Sequence, residues 1–560
     1  MEPLGQGELH AHSQQSTERC GRTPSSNTFR ALLTGVILAS FLVSVAFLAQ
    51  RNLIDDEVGS FDFTLRSVQE IWNAANHADF HPPGMYVLSH FFYQLTQSIR
   101  WTTLGGLLFL YAGLLVFCRA TLRCFPDRTS ALFYGLLLFL HPQVLMWGNS
   151  VRWYPYWTGI ALVVMTVGLS LNSSALQKPA PLSNARSAAV GVLFAALFYL
   201  NYITLLFVAA FLAAYVVRFS WRELQRMAVA GGVFVLLVLP QVVPFLTVHL
   251  PKRDLQEYST PVSIARLLHG VSLSEAVLPW HPIGMLFLAA ACVPLTLLAA
   301  AKAWAFVWRR NENVTFLAGA SLMTVFVTLA VLASLTGLGG KPRSFIVLAP
   351  LFAFVLATGF ARVTSPRYRI VTALICVSWI GVGVGHLLAR TSTAKGGLNS
   401  RPEQVSQFIA AKAQGRCAVV FLHDPALTYV LNQAARSRPW IIVSVYGDPV
   451  NRIPSGAADP KCVPVIEFVI PSYTGDTDDV AQKLKDRLDV ARSYMVKSGE
   501  QKFDLDPDAP WKRWVLGIDR SALPDQRMVV EYGIPRTPLD WITLSEKLRW
   551  DKPVSVSGLR

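Results

Sequence analysis

The sequence predicts an all-α polytopic membrane protein of about 11 transmembrane helices followed by a soluble α/β domain. Three observations predict it. Of the 560 residues, 52% are hydrophobic and only 15% are charged, which is too apolar for a soluble chain. Apolar runs close to bilayer length recur between Ala31 and Ala389, with basic residues clustered in the gaps. From Arg401 onward the composition becomes that of a water-soluble domain in which helix-like and strand-like stretches alternate.

Residues 1–30 are polar and carry no cleavage pattern, so they read as a disordered cytoplasmic tail ahead of an uncleaved first helix. Spans of about 20 residues fall at Ala31–Ala49, Trp101–Ala120, Thr129–Trp147, Tyr156–Leu171 and Met227–Val248. Others fall at Pro282–Val307, Val314–Gly337, Ser344–Ala361 and Ile370–Ala389. The run Ala188–Val217, with Asn201-Tyr202 at its middle, is long for one span and short for two. The positive-inside rule arbitrates. Read as two spans, it leaves Arg19/Arg22/Arg30, Arg119/Arg123/Arg128, Lys178/Arg186, Arg218/Arg222/Arg226, Lys302/Arg309/Arg310 and Arg362/Arg367/Arg369 on one cytoplasmic face. Read as one, it moves the last three clusters outside. The two-span reading puts the amino terminus inside and the carboxyl-terminal domain outside.

The formal charge of +15 therefore reports topology and gives no reason to invoke nucleic acid. The seven cysteines show no metal-binding spacing. Cys417 and Cys462, at strand starts on the oxidising side, form a candidate disulfide whose separation the sequence does not supply.

The outer loops hold the chemistry. In the first, residues 50–100, Asp55-Asp56-Glu57 directly follows an apolar span, where carboxylates are costly unless they face water or a cavity. Solvated helix-ending acids are the plain alternative. Phe61–Ala75 and Met85–Leu95 read as interfacial helices, although the latter also fits as the beginning of the second span. His81-Pro82-Pro83 lies between them, and the two prolines fix the direction of the chain. Arg152-Trp153-Tyr154 sits between the third and fourth spans, Lys252 and Arg253 in the long loop 249–281, and Lys341-Pro342-Arg343 before a later span. Short loops hold Arg152, Lys341 and Arg343 near the depth of lipid headgroups. Arginine in particular suits a lipid-borne phosphate, because its planar fork donates two hydrogen bonds at once. Snorkelling anchors are the alternative for each taken singly.

In the tail, helices are expected at Pro402–Lys412, Ala426–Ala435 and Val480–Tyr494, and strands at Cys417–Leu422, Ile441–Val445 and Val463–Ile470. No phosphate loop or nucleophile motif is present there.

An acidic pair after the first span, HPPGMYVLSHFF after it, and LHPQVLMWGNSVRWYP after the third together resemble the GT-C class of membrane glycosyltransferases. Within it the pattern is most similar to family 39 and its relatives, the dolichyl-phosphate-mannose protein mannosyltransferases and the aminoarabinose transferases that modify lipid A. The resemblance places the family's acidic pair on Asp56-Glu57, its HPP motif on His81-Pro82-Pro83 and its Arg-x-Tyr on Arg152 and Tyr154. Lys341-Pro342-Arg343-Ser344 before Leu348-Ala349-Pro350-Leu351 is similar to the later arginine-containing segment. The chain departs from the pattern at Asn201-Tyr202, where relatives often carry histidine before tyrosine, and in having a third acid, Asp55.

The resemblance implies a GT-C-like catalytic domain over residues 31–390 and an extracytoplasmic α/β domain over 391–560. It also implies a bacterial inner membrane, a polyprenyl-phosphate-linked sugar donor, and a hydroxyl acceptor that is a protein, lipid or polysaccharide. Asp56 is the expected general base, with Asp55 as the alternative and Glu57 as its support or as an acceptor contact. Arg152, Tyr154, Lys341 and Arg343, with Lys252 and Arg253 behind them, are expected at the donor phosphate. His81 is expected to orient the loop. No cofactor is implied, although three adjacent acids are chemically able to bind a divalent cation. A transporter or flippase would need charged or broken spans near the midplane, and a non-catalytic lipid-glycan scaffold would not need its acids.

Overall fold

A computed structural model of the chain describes most of residues 27–50, 57–173, 183–249, 260–309 and 342–388. In the tail it describes 402–422 and, beyond that, chiefly the strands from 440 to 535. The expected span Val314–Gly337 lies outside the described residues. The chain forms two compact units, one of Met1–Gln50 with Phe63–Leu388 and the other of Arg51–Asp62 with Ala389–Arg560.

The regular structure of the first unit is helical throughout its described residues. Among the described residues, six helices are long and apolar enough to cross a membrane: Asn27–Leu48, Trp101–Cys124, Arg128–Gly148, Gln225–His249, Pro282–Lys302 and Pro366–Leu388. Its elements begin with α1 (Asn27–Gln50), α2 (Val68–His77), α3 (Gly84–Thr96) and α4 (Ile99–Thr121). Helix α2 starts at Val68, where Ser67 and Glu70 close a reciprocal cap. The Glu70 carboxylate accepts from Ser67 N at 3.0 Å, and Ser67 Oγ accepts from Glu70 N at 3.3 Å. Helix α3 is separate from the second span, since Gln97 adopts a left-handed conformation (φ 49°) and Ser98 is extended.

The third span is two helices, α5 (Arg128–Phe139) and α6 (Pro142–Gly148). Asp127 caps the first through Ser130 N at 2.8 Å, and Pro142 opens the second under a His141 cap. Helix α7 (Tyr154–Ser173) packs against α4 so closely that a Cβ on Gly113 would lie 2.3 Å from the Gly159 carbonyl oxygen.

The run at 188–217 resolves into α8 (Asn184–Leu200) and α9 (Thr204–Val216), broken where the Asn201 side chain accepts from Ile203 N at 2.9 Å. Phe194 on α8 meets Phe207 and Phe211 on α9 at 6.4 and 5.5 Å, an antiparallel pairing. The next helix, α10 (Trp221–Pro244), runs in the same direction as α8, since Gly191 packs on Ala230 and Phe198 packs on Phe234 and Phe245. Helix α9 is thus the return leg, as the charge pattern demanded.

Then follow α11 (Thr260–Ser272), α12 (Pro282–Phe287), a π-turn over Leu288–Cys292, α13 (Val293–Arg309), a 3-10 turn (Pro342–Phe345), α14 (Leu348–Ala361) and α15 (Pro366–Leu388). Helix α14 is short for a bilayer yet buried along almost its whole length, the behaviour of a central bundle helix. At one end of the bundle, Arg369 reaches Asp127 at 3.2 Å, so the gap before α5 and the start of α15 share a face, as expected of two basic clusters on one side.

The second unit carries α16 (Pro402–Ala413) and a mixed five-stranded sheet of order β2-β1-β3-β5-β4. Its strands are β1 (Ala418–Leu422), β2 (Trp440–Ser444), β3 (Val463–Ile470), β4 (Met495–Asp504) and β5 (Arg527–Pro535). Strand β1 runs parallel to β2 and β3, whereas β5 is antiparallel to β3 and β4. Val405, Ile409, Val420, Val465 and Val530 form its core. The expected helices Ala426–Ala435 and Val480–Tyr494 lie mostly outside the described residues.

The sequence reading missed β4 and β5. Edge strand β4 carries Lys497, Glu500 and Lys502, and β5 buries Glu531 against Arg492 and Lys497 at 2.9 Å each, so neither shows an apolar run. Cys417 and Cys462 do form a disulfide, tying β1 to β3 across a sequence separation of 45 residues. Closing a loop of that length stabilises a fold by about 4 kcal/mol on the chain-entropy model. Cys417→Ser/Cys462→Ser protein should therefore melt its sheet unit at a clearly lower temperature than wild type. A scan unchanged by the double substitution and by reductant would count against that role.

Candidate functional site

The site is built on the segment running from α6 into α7. The Asn149 side-chain amide returns to the Leu145 carbonyl at 2.8 Å and Ser150 Oγ accepts from Arg152 N at 3.2 Å, folding residues 149–153 into a tight buried turn. Arg152, only 7% exposed, leaves that turn toward the HPP motif, and its Nη2 donates to His81 Nε2 at 2.5 Å. A guanidinium has only donors, so His81 presents its unprotonated nitrogen there. Pro82 and Pro83 are buried, and Gly84 packs on α8 so tightly that a Cβ would lie 2.5 Å from the Tyr199 carbonyl oxygen. The motif is a fixed wedge that aims His81 at Arg152.

A second group surrounds Trp147. Tyr154 packs edge-on to its ring at 5.4 Å, and the Arg343 guanidinium, on the 3-10 turn and 7% exposed, lies 5.4 Å from the same ring. Trp147 Nε1 donates to Glu275 Oε2 at 2.9 Å. Gln143 Oε1 in turn accepts from Glu275 N at 3.0 Å and from Ser274 Oγ at 2.9 Å. His141, fully buried, hydrogen-bonds the Val271 carbonyl at 3.1 Å while its Nδ1 accepts from Gln143 N, which holds the end of α11 on the start of α6. Burial pushes the Glu275 carboxyl above the usual carboxylate range, against the opposing pull of Arg343, of hydrogen bonds at Gln143 and Trp147, and of Arg266.

A further polar network joins α2, α10 and the turn between α8 and α9. Gln241 Nε2 donates to Asn76 Oδ1 and to Tyr202 Oη, both at 2.8 Å, and the buried His249 ring lies 5.0 Å from that of Tyr202. Asn201, which stands where relatives often carry histidine before the tyrosine, serves as a turn cap, and the histidine beside Tyr202 comes instead from the π-turn Phe245–His249 that follows α10.

The structure thus joins His81 to Arg152 and gathers Tyr154 and Arg343 around Trp147. Asp55, Asp56, Lys252, Arg253 and Lys341 lie outside the described residues. Glu57 is fully buried and belongs to the other compact unit. Among the described residues no three His, Cys, Asp or Glu side chains form a group able to hold a metal ion. Trp147, Gln143, Arg266 and Glu275 escaped the sequence reading. Trp147 and Gln143 sit inside a quoted motif, but Glu275 and Arg266 are single charges in an otherwise unmarked loop and helix.

No family model matches the sequence, and no curated protein matches it significantly. Solved structures do match. The apo crystal structure of ArnT from Cupriavidus metallidurans, an aminoarabinose transferase, is 15% identical. That match covers 90% of this chain and 98% of ArnT, with a TM-score of 0.51. ArnT bound to undecaprenyl phosphate matches over the same shares at 15% identity and a TM-score of 0.49. An Archaeoglobus fulgidus oligosaccharyltransferase tethered to an acceptor peptide is 12% identical over 71% of this chain and 62% of its own, with a TM-score of 0.43. The chain is a polytopic membrane protein with the GT-C fold seen in apo ArnT, together with a small C-terminal sheet.

Proposed function

We propose that this protein is a glycosyltransferase that moves a sugar from a polyprenyl-phosphate-linked donor to a hydroxyl acceptor on the extracytoplasmic side of the membrane, with inversion. The observation that carries the reading is the buried Arg152, clamped to His81 by two separate sequence motifs at one end of a GT-C bundle. Burying a guanidinium is costly unless it is paired for a purpose. Arg343, held against Trp147, supplies a second fixed cation. Lys341, Lys252 and Arg253 are assigned to the same charge. ArnT, whose fold the chain shares, has also been crystallised with undecaprenyl phosphate, a lipid of the class proposed for this donor.

The chemistry follows. Asp56, or Asp55 beside it, takes the acceptor's hydroxyl proton while Glu57 supports that carboxylate. The acceptor oxygen forms its bond to the anomeric carbon as the bond from that carbon to the phosphate oxygen breaks. The electron pair leaves with the phosphate, whose growing charge the arginines stabilise. Phosphate is a competent leaving group, so a second carboxylic acid, which glycosidases commonly need, is dispensable. The Cys417–Cys462 disulfide supports an oxidising compartment for the sheet unit, and a bacterial inner membrane is the setting we assign.

Purified wild-type and Asp56→Asn protein should be incubated with a panel of polyprenyl-phosphate sugars and envelope acceptors, and free polyprenyl phosphate followed by mass spectrometry. One donor consumed by wild type and spared by the variant, with its sugar on an acceptor, is the expected result. A donor that is bound yet never consumed would favour a scaffold or flippase.

A further inference from the structure

Glu275 has no part in the reaction as written, yet it sits inside the cationic group. Its carboxylate is held by Trp147 Nε1 at 2.9 Å, and the Arg343 guanidinium lies over the same indole ring. Helix α11 packs against the turn that bears Arg343, and from α11 the half-buried Arg266 acts on Glu275 as well. Glu275 thus lies within the electrostatic reach of two arginines. Glu275 is half-buried, as is Arg266.

A charge count gives the carboxylate a task. Arg343 and Arg266 with Glu275 leave one net positive charge. The donor is a phosphodiester with one negative charge, whereas the released polyprenyl phosphate is a monoester that approaches two near neutral pH. A site made only of arginines would hold the product more firmly than the donor, because attraction scales with the product of the charges.

We propose that Glu275 is an internal counter-anion that competes with the lipid phosphate for Arg343 and Arg266, loosening the product so that it leaves. It is a positioning residue that acts through the two arginines, and the proposal rests on the donor class assigned above. The carboxylate stays near both arginines, which also lowers the cost of leaving the buried Arg343 without an anion.

The test is equilibrium binding of undecaprenyl phosphate to the purified full-length chain in detergent, for wild type, Glu275→Gln and Glu275→Asp. The glutamine variant should bind about tenfold more tightly or better, given the loss of one nearby negative charge. The aspartate variant, which keeps the charge, should stay near wild type. In turnover, Glu275→Gln should lower KM and kcat together, as expected when product release slows. A merely structural glutamate would weaken binding instead. Glu275→Met, uncharged and similar in length, repeats the test if the amide variant does not fold.

Equal or weaker lipid binding by a folded uncharged variant overturns the counter-anion role alone. No binding of undecaprenyl phosphate by wild type overturns that role and the donor class together. Inorganic phosphate titrated alongside should compete only weakly. Competition as strong as that of the lipid would make the ligand free phosphate and overturn the product-release role.

Discussion

Arg152→Ala is expected to lower sugar transfer by about a hundredfold to a thousandfold, the range seen when one preorganised donor to developing negative charge is removed. The substitution deletes a buried guanidinium whose place is set from two sides, by the 149–153 turn and by His81. It also leaves the His81 acceptor without that donor, so part of the loss is geometric. Arg152→Lys should recover only a fraction, since an ammonium keeps the charge but not the planar fork. His81→Ala should cost less than Arg152→Ala, because the cation survives and only its aim is relaxed. Release of polyprenyl phosphate per turnover is the measurement. Arg152→Ala protein that is folded and still turns over within a few fold of wild type would remove Arg152 from the leaving-group site.

Gly113→Leu and Gly159→Val are expected to abolish or severely reduce the yield of folded protein. Helices α4 and α7 approach backbone to backbone. A Cβ at Gly113 would lie 2.3 Å from the Gly159 carbonyl oxygen, and one at Gly159 would lie 2.2 Å from that of Phe109. Neither obstacle is the free end of a side chain, so the helices themselves must separate. Overpacking a tight interior costs about 1–3 kcal/mol even where side chains yield, and here the backbone must yield instead. In a membrane, close contact between small residues is itself a main source of helix association. Because α7 begins at Tyr154, the displacement would also carry Arg152 and Tyr154 out of register with His81 and Trp147. Gly231→Ala is the matched control: nothing lies within 4 Å of its Cβ position, and alanine is the better helix former by about 1 kcal/mol. Size-exclusion profiles and thermal scans in detergent separate the cases. Normal folding of Gly113→Leu would mean that the two helices lie further apart than described.

Much of the fold was legible in the sequence because a bilayer imposes a local rule. A span must be apolar over a fixed length and its basic flanks must sort to one side, and both are properties of contiguous residues. That rule predicted a multi-span chain and, through the arginine clusters, required Ala188–Val217 to turn back on itself, as α8 and α9 do. His81 and Arg152 were likewise visible, since each belongs to a short motif. What the sequence could not show was which side chains meet. Glu275 reaches Trp147 across 128 positions and Gln241 reaches Asn76 across 165, contacts that no periodicity encodes. Strands β4 and β5 stayed hidden for a related reason: their charges are neutralised by each other and by Arg492, so polar residues occupy a sheet without leaving an apolar run. The sequence by itself determined that the chain is a polytopic membrane protein with a small C-terminal sheet unit, and it displayed the motifs that carry Arg152, His81 and the acids. Only the tertiary structure decided that a lone glutamate would be placed among the arginines, because helix packing sets those distances and the local rules of the chain do not.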